Sequence, residues 1–182
     1  MSTTAQPMLS HVGLFVRDMQ QMLSFYMTLF GLKITDKGRG RVVRNDLVFL
    51  SAHSDHHHQL VLSSGRPADA TFSTVMQLSF KVQAIDDLRR IGAAAPALGA
   101  SKLFTLNHGN ALSIYFGDPE GNTVEVYFDM PFYVPQPHGD SLDLSKSDEE
   151  ILRETEAVCR ADPGFMTAEE WKRRFVASNA SA

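Results

Sequence analysis

His11-Val12-Gly13-Leu14-Phe15-Val16-Arg17 alternates two kinds of side chain, with Val12, Leu14 and Val16 on one face of a strand and His11, Gly13 and Phe15 on the other. Asp18 then stands where a helix N-cap belongs. Met19, Met22, Leu23, Tyr26, Leu29 and Phe30 recur at helical spacing, and Gly31 supplies a C-terminal stop, which predicts a helix over 19–30. Segments near 32–36, 42–51 and 57–63 read as strands, separated by the turn-forming Lys37-Gly38-Arg39-Gly40 and the polar Ala52-His53-Ser54-Asp55. The first half therefore reads βαβββ.

The second half repeats it. Adding 66 to the residue number carries Val12, Leu14 and Val16 onto Leu78, Phe80 and Val82, and Met19, Met22 and Phe25 onto Ile85, Leu88 and Ile91. Val48 and Leu50 go to Ile114 and Phe116, and Leu60 and Leu62 to Val126 and Phe128. The apolar face survives at each position, as a duplicated unit requires. Module one covers 9–63 and module two 74–129, joined by the breaker-rich Ser63-Ser64-Gly65-Arg66-Pro67-Ala68-Asp69-Ala70. From Met130 the three prolines Pro131, Pro135 and Pro137 suit an extended arm. Ser147-Asp148-Glu149-Glu150 and Thr167-Ala168-Glu169-Glu170 match the capping-box spacing and predict two helices, before residues 177–182 fray. Phe132, Tyr133, Val134, Trp171 and Phe175 are expected to be buried against the modules or a second subunit.

Composition sets the class. The chain has 182 residues, 43% hydrophobic and 21% charged, with 17 basic against 21 acidic side chains, so it is an ordinary folded chain without the positive field that nucleic acid needs. No apolar run reaches a membrane span, and Met1-Ser2-Thr3-Thr4-Ala5-Gln6-Pro7 is unlike a signal peptide, so a cytoplasmic protein is expected. Cys159 is the sole cysteine and suits a reducing compartment.

Chemistry belongs on the face opposite the aliphatic alternates. His11 and Gln77 are one repeat pair and Gln59 and Glu125 another, and all four carry a nitrogen or oxygen able to meet a metal. In the run His56-His57-His58, His57 shares strand parity with Gln59, while the run read alone is a solvated turn at a strand start. Tyr115 reads as a packed aromatic or a proton donor, and His108 as a loop residue or its partner.

His11-Val-Gly-Leu-Phe-Val-Arg-Asp, with Phe25-Tyr26 and Phe30-Gly31-Leu32, resembles the opening of vicinal oxygen chelate proteins, the superfamily of glyoxalases, extradiol ring-cleaving dioxygenases and bleomycin-resistance proteins. Ser113-Ile-Tyr-Phe-Gly-Asp-Pro-Glu-Gly-Asn-Thr-Val-Glu-Val resembles its closing hairpin. The resemblance covers 9–129. It implies an α+β fold of two tandem βαβββ modules in a curled mixed sheet around a cleft, with the 130–182 arm and helices packed on it. It further implies a divalent metal, Fe(II) first and Mn(II), Ni(II) or Zn(II) otherwise. His11 and Glu125 match the family's first and last ligands, Gln77 stands where most relatives have histidine, and Gln59 and His57 stand beside them. Tyr115 matches a tyrosine that extradiol dioxygenases place beside substrate. The function implied is a metal-dependent enzyme on a catechol-like or dicarbonyl-derived substrate, extradiol dioxygenase-like with Tyr115, His108 and Glu125 catalytic, and a homodimer. Glyoxalase-like isomerisation, and metal-free binding of a small molecule, are the alternatives.

Overall fold

The computed structural model describes residues 7–180. The chain divides between Ser73 and Thr74 into two compact units.

In the first unit, β1 (Val12–Val16) leads to α1 (Met19–Phe30), followed by β2 (Lys33–Arg39), β3 (Asp46–Ser51) and β4 (Leu60–Ser64), in the sheet order β1-β4-β3-β2. The β1 and β4 strands are parallel and the other neighbours antiparallel. The Asp18 side chain caps α1 by accepting from the Gln21 N–H at 2.9 Å, and Gly31 ends it at φ +66°. The helix buries Met22, Leu23, Phe25, Tyr26 and Leu29, and the strands contribute Leu14, Val16, Leu50 and Leu62 to the core. Each such side chain is worth about 1.5–3 kcal/mol on burial.

Three strand expectations change here, the simplest being that the strand expected near 42 starts at Asp46. Lys37-Gly38-Arg39, expected as a turn, continues β2, because Lys37 pairs with Val48, Gly38 with Leu47 and Arg39 with Asp46, while the side chains of this edge strand stay in water. The strand expected from 57 starts at Leu60, so no strand parity orients His57. The His57 side chain is 60% exposed, near Asp36 at 3.9 Å and the Phe49 ring at 6.0 Å.

The second unit repeats the plan with β5 (Leu78–Val82), α2 (Ile85–Ala94), β6 (Ser101–Asn107), β7 (Ala111–Gly117) and β8 (Thr123–Asp129), in the order β5-β8-β7-β6. Two tandem βαβββ modules are thus present as two four-stranded mixed sheets. The 66-residue offset holds for β1 onto β5 and α1 onto α2 but slips by two at the last strand. Leu14 lies opposite Leu62, whereas its repeat partner Phe80 lies opposite Val126 rather than Phe128. The cause is the tight hairpin 118–122, where the Asp118 N–H donates to the Asn122 carbonyl at 2.9 Å and the Asp118 carboxylate accepts from the Glu120 and Asn122 N–H groups and from Asn122 Nδ2. Turn length sets register.

Beyond β8, β9 (Phe132–Tyr133) pairs antiparallel with β10 (Met166–Thr167), around α3 (Asp148–Ala161), and α4 (Ala168–Ala180) follows. Ser147 and Glu150 close the expected capping box. Thr167 Oγ1 accepts from the Glu170 N–H, but the Glu170 carboxylate is paired with Arg174. The arm is tied to its own module. Arg89 of α2 donates to the Leu144 and Lys146 carbonyls at 2.8 and 2.9 Å, Thr105 donates to the Leu142 carbonyl at 2.6 Å, and Asn107 bridges to Asp140. Val134 is buried as expected. Trp171 and Phe175 are not: they are 39% and 54% exposed, stacked in a ladder on Tyr133 at centroid spacings of 5.7 and 5.5 Å. Residues 177–180 stay helical, and the fraying expected at Ser181 and Ala182 lies outside the described residues. Among the described residues no helix is long and apolar enough to cross a membrane.

Candidate functional site

Polar side chains gather on the second sheet, on the face opposite α2. Register places Ser79 (β5), Glu125 (β8), Tyr115 (β7) and Phe104 (β6) side by side in one row across four strands. Glu125 is the hub, buried at 8% exposure with both oxygens in use. Its Oε1 accepts from Tyr115 OH at 2.5 Å and Ser113 Oγ at 2.9 Å. Its Oε2 accepts from Ser79 Oγ at 2.6 Å and Gln77 Nε2 at 2.7 Å. Gln77 Nε2 also donates to Ser79 Oγ at 3.0 Å. Ser113 and Tyr115 are buried, whereas Ser79 is exposed and Gln77 half-buried, so the carboxylate is reached from its Oε2 side.

Behind Tyr115 the contacts continue. The Tyr115 hydroxyl lies 2.8 Å from His108 Nε2, and His108 Nδ1 lies 3.0 Å from the His138 carbonyl in the arm. A carbonyl only accepts, so Nδ1 carries a proton. The Tyr115 hydroxyl donates to Glu125, and its oxygen also faces His108 Nε2. The turn carrying His108 is pinned by Asn107, whose oxygen accepts from the Gly109 N–H, and by Gln136, which donates to the His108 carbonyl. Phe104 lies flat on Tyr115, with centroids 5.0 Å apart and planes within 10°.

Burial first, then the hydrogen bond and charge of Glu125, push the Tyr115 phenol well above its ordinary value of 10.0. A phenol raised on folding stabilises the fold fully below about pH 10, and that stability is lost as pH rises through the folded value. Tyr115→Phe should therefore flatten the alkaline decline in the urea midpoint above pH 10; parallel declines for both proteins would show that Tyr115 does not sit buried against Glu125.

The first unit lacks this hub. The same row there holds Gly13, Val61, Phe49 and Asp36, so Val61 and not Gln59 is the register equivalent of Glu125. Gln59 Oε1 is engaged by its own hairpin, accepting from the Ala52 N–H at 3.0 Å and Ser51 Oγ at 3.3 Å. His11, beside Ser10 at 3.1 Å, packs against His58 with centroids 4.3 Å apart. His58 Nδ1 is 2.9 Å from His57 Nδ1, and burial and then the charges of His11 and His57 hold His58 below its ordinary value. The structure thus joins Gln77, Tyr115, His108 and Glu125 in one unit, with His11, His57 and Gln59 in the other. Ser79, Ser113 and Phe104 were missed from the sequence, although Ser79 and Ser113 stand two residues from Gln77 and Tyr115, on the same strand faces.

Paired βαβββ modules with an acid-bearing sheet face define the vicinal oxygen chelate class. The chain belongs to the Glyoxalase/Bleomycin resistance protein/Dioxygenase superfamily, whose family model matches residues 8–126. It is 24% identical over 129 residues to a biphenyl-2,3-diol 1,2-dioxygenase of Rhodococcus globerulus, covering 69% of this chain and 65% of that one. It is 24% identical over 133 residues to a metapyrocatechase of Geobacillus stearothermophilus, covering 71% and 37%. The chain thus spans less than two thirds of either relative. Among solved structures, a glyoxylase/bleomycin resistance protein/dioxygenase domain from Frankia sp. EAN1pec matches with TM-score 0.58 at 21% identity, covering 69% of this chain and all of that one. The fosfomycin resistance protein FosX of Listeria monocytogenes, crystallised with Mn(II) and sulfate, matches with TM-score 0.54 at 17% identity, covering 69% and 95%.

A divalent ion on the second unit would need a lone pair of Glu125, and a carboxylate has about four. All four are occupied. Facing a carboxylate at 2.7 Å, Gln77 presents N–H, since an amide oxygen there would meet like charge. Among the described residues no three His, Cys, Asp or Glu side chains form a group able to hold a metal. The donor set of this unit does not fit a resident divalent ion.

Proposed function

We propose that the chain binds a small molecule carrying two adjacent oxygens, a catechol or a dicarbonyl-derived enediol, on the second sheet, and acts on it by proton transfer. The observation that carries this reading is the accessible donor–acceptor pair of Gln77 Nε2 and Glu125 Oε2, 2.7 Å apart. The ligand takes the place of the exposed Ser79 hydroxyl: one ligand O–H donates to Oε2, and the neighbouring oxygen accepts the Nε2 proton that Ser79 Oγ otherwise holds. Glu125 then takes the proton, and the Tyr115–His108 relay at its other oxygen accommodates the change in charge. The flat Phe104–Tyr115 pair offers an aromatic surface beside the reacting oxygens. On an enediol, return of that proton from Glu125 to the far carbon gives the hydroxycarbonyl and completes an isomerisation of the glyoxalase kind.

Calorimetric titration with catechol tests this. Binding is expected for catechol and not for resorcinol, whose oxygens are not adjacent. Because hydrogen bonds to a charged group contribute about 1.5–3 kcal/mol, Glu125→Gln should weaken catechol by roughly tenfold or more. Equal affinity for the two diols, or no effect of the substitution, would end the proposal.

Ring cleavage with Fe(II), the expectation from the sequence, is favoured by the names of the two curated relatives. It makes a different demand, catechol-dependent oxygen uptake once Fe(II) is supplied. Catechol binding without uptake selects proton transfer.

A further inference from the structure

We propose that Gln77 and Ser79 stand in for a metal ion, so that the Glu125 site is metal-independent by construction. The inference rests on the reading of Glu125 as the site's acceptor and adds how its charge is sustained. Burying a carboxylate is costly unless its oxygens are hydrogen-bonded. Here four neutral donors at 2.5–2.9 Å meet that requirement with no cation. Three come from the sheet itself: Ser79, Ser113 and Tyr115 lie on strands whose register delivers them to the carboxylate. The fourth, Gln77, just precedes β5 and closes a ring in which its amide gives one proton to Glu125 and the other to Ser79, while Ser79 gives its own to Glu125. Both amide protons are thereby spent and the orientation of Gln77 is locked, with its oxygen turned from Glu125. A cation at Oε2 would have to break two of these bonds and reverse the amide. An imidazole at position 77 would offer a nitrogen lone pair instead and remove that lock.

The test uses the full-length protein grown in medium supplemented with Mn(II), Fe(II) and Ni(II), with metal read by mass spectrometry and the thermal midpoint read with and without EDTA. Wild type and Glu125→Gln are expected to carry the same metal, and EDTA to leave the wild-type midpoint unchanged; metal bound elsewhere would survive Glu125→Gln and agree with the proposal. In Ni(II) titrations Gln77→His should bind roughly tenfold or more tightly than wild type. Equimolar metal in wild type that Glu125→Gln and Gln77→Leu both lose would overturn the proposal, as would a Gln77→His protein with wild-type Ni(II) affinity. Catechol binding is measured separately, so failure of the ligand reading leaves these metal results to stand alone.

Discussion

Glu125→Leu is expected to lower stability by about 3–5 kcal/mol, since each buried donor left without a partner costs about 1–3 kcal/mol. Ser113, at 0% exposure, has no water to turn to, and Tyr115, at 8%, keeps only its 2.8 Å contact with His108 Nε2. Their hydroxyls would also lie beneath an alkyl group in the middle of the β7–β8 pairing, where Tyr115 is opposite Glu125. Ser79→Ala is the control: the residue is exposed, so water can take the place of its hydroxyl on Oε2, and its loss should cost under about 1 kcal/mol. Urea unfolding of the three proteins reads the difference. A Glu125→Leu loss no greater than that of Ser79→Ala would mean that the four donors do not converge on the carboxylate.

Gly109→Ala is the second large effect, and it links the fold to the relay. Gly109 follows His108 at φ +73°, and a Cβ there would come within 2.5 Å of Val134 Cγ2 in the arm and 3.1 Å of Cys159 Sγ in α3. The left-handed backbone costs about 1–2 kcal/mol for an L side chain, and forcing a methyl into a filled space about 1–3 more, so a loss near 3 kcal/mol is expected. Gly121→Ala isolates the first contribution, because φ is +81° with nothing within 4 Å, and should cost only about 1–2 kcal/mol. The turn cannot yield without moving His108 from Tyr115, so catechol affinity should fall in Gly109→Ala and hold in Gly121→Ala. Equal stability losses in the two variants would show that the arm does not press on this turn.

Much of this molecule can be read along the chain. The alternation at 12–16 and 78–82, the helical spacing after Asp18 and the capping box at Ser147 are local signals, and each names an element that forms where expected. The hidden features are those in which one segment answers to another. Lys37-Gly38-Arg39 has the composition of a turn, yet pairing with β3 makes it strand. Trp171 and Phe175 have the size of core residues, yet a stack on Tyr133 leaves them at the surface.

The same division runs through the site. Period-two alternation by itself determined which strand faces carry Tyr115 and Glu125, because parity is a property of a single strand. It also paired Gln59 with Glu125, since a slide of two residues leaves parity unchanged and is invisible to any pattern of that period. Only the tertiary structure decided the rows. The short Asp118–Asn122 hairpin slides β8 by two places, setting Glu125 opposite Ser79 and Tyr115 while Val61 takes the equivalent place in the first unit. Hydrogen-bonded register, a relation between strands, thus put a carboxylate at the centre of that row in one copy of the sheet and a valine in the other.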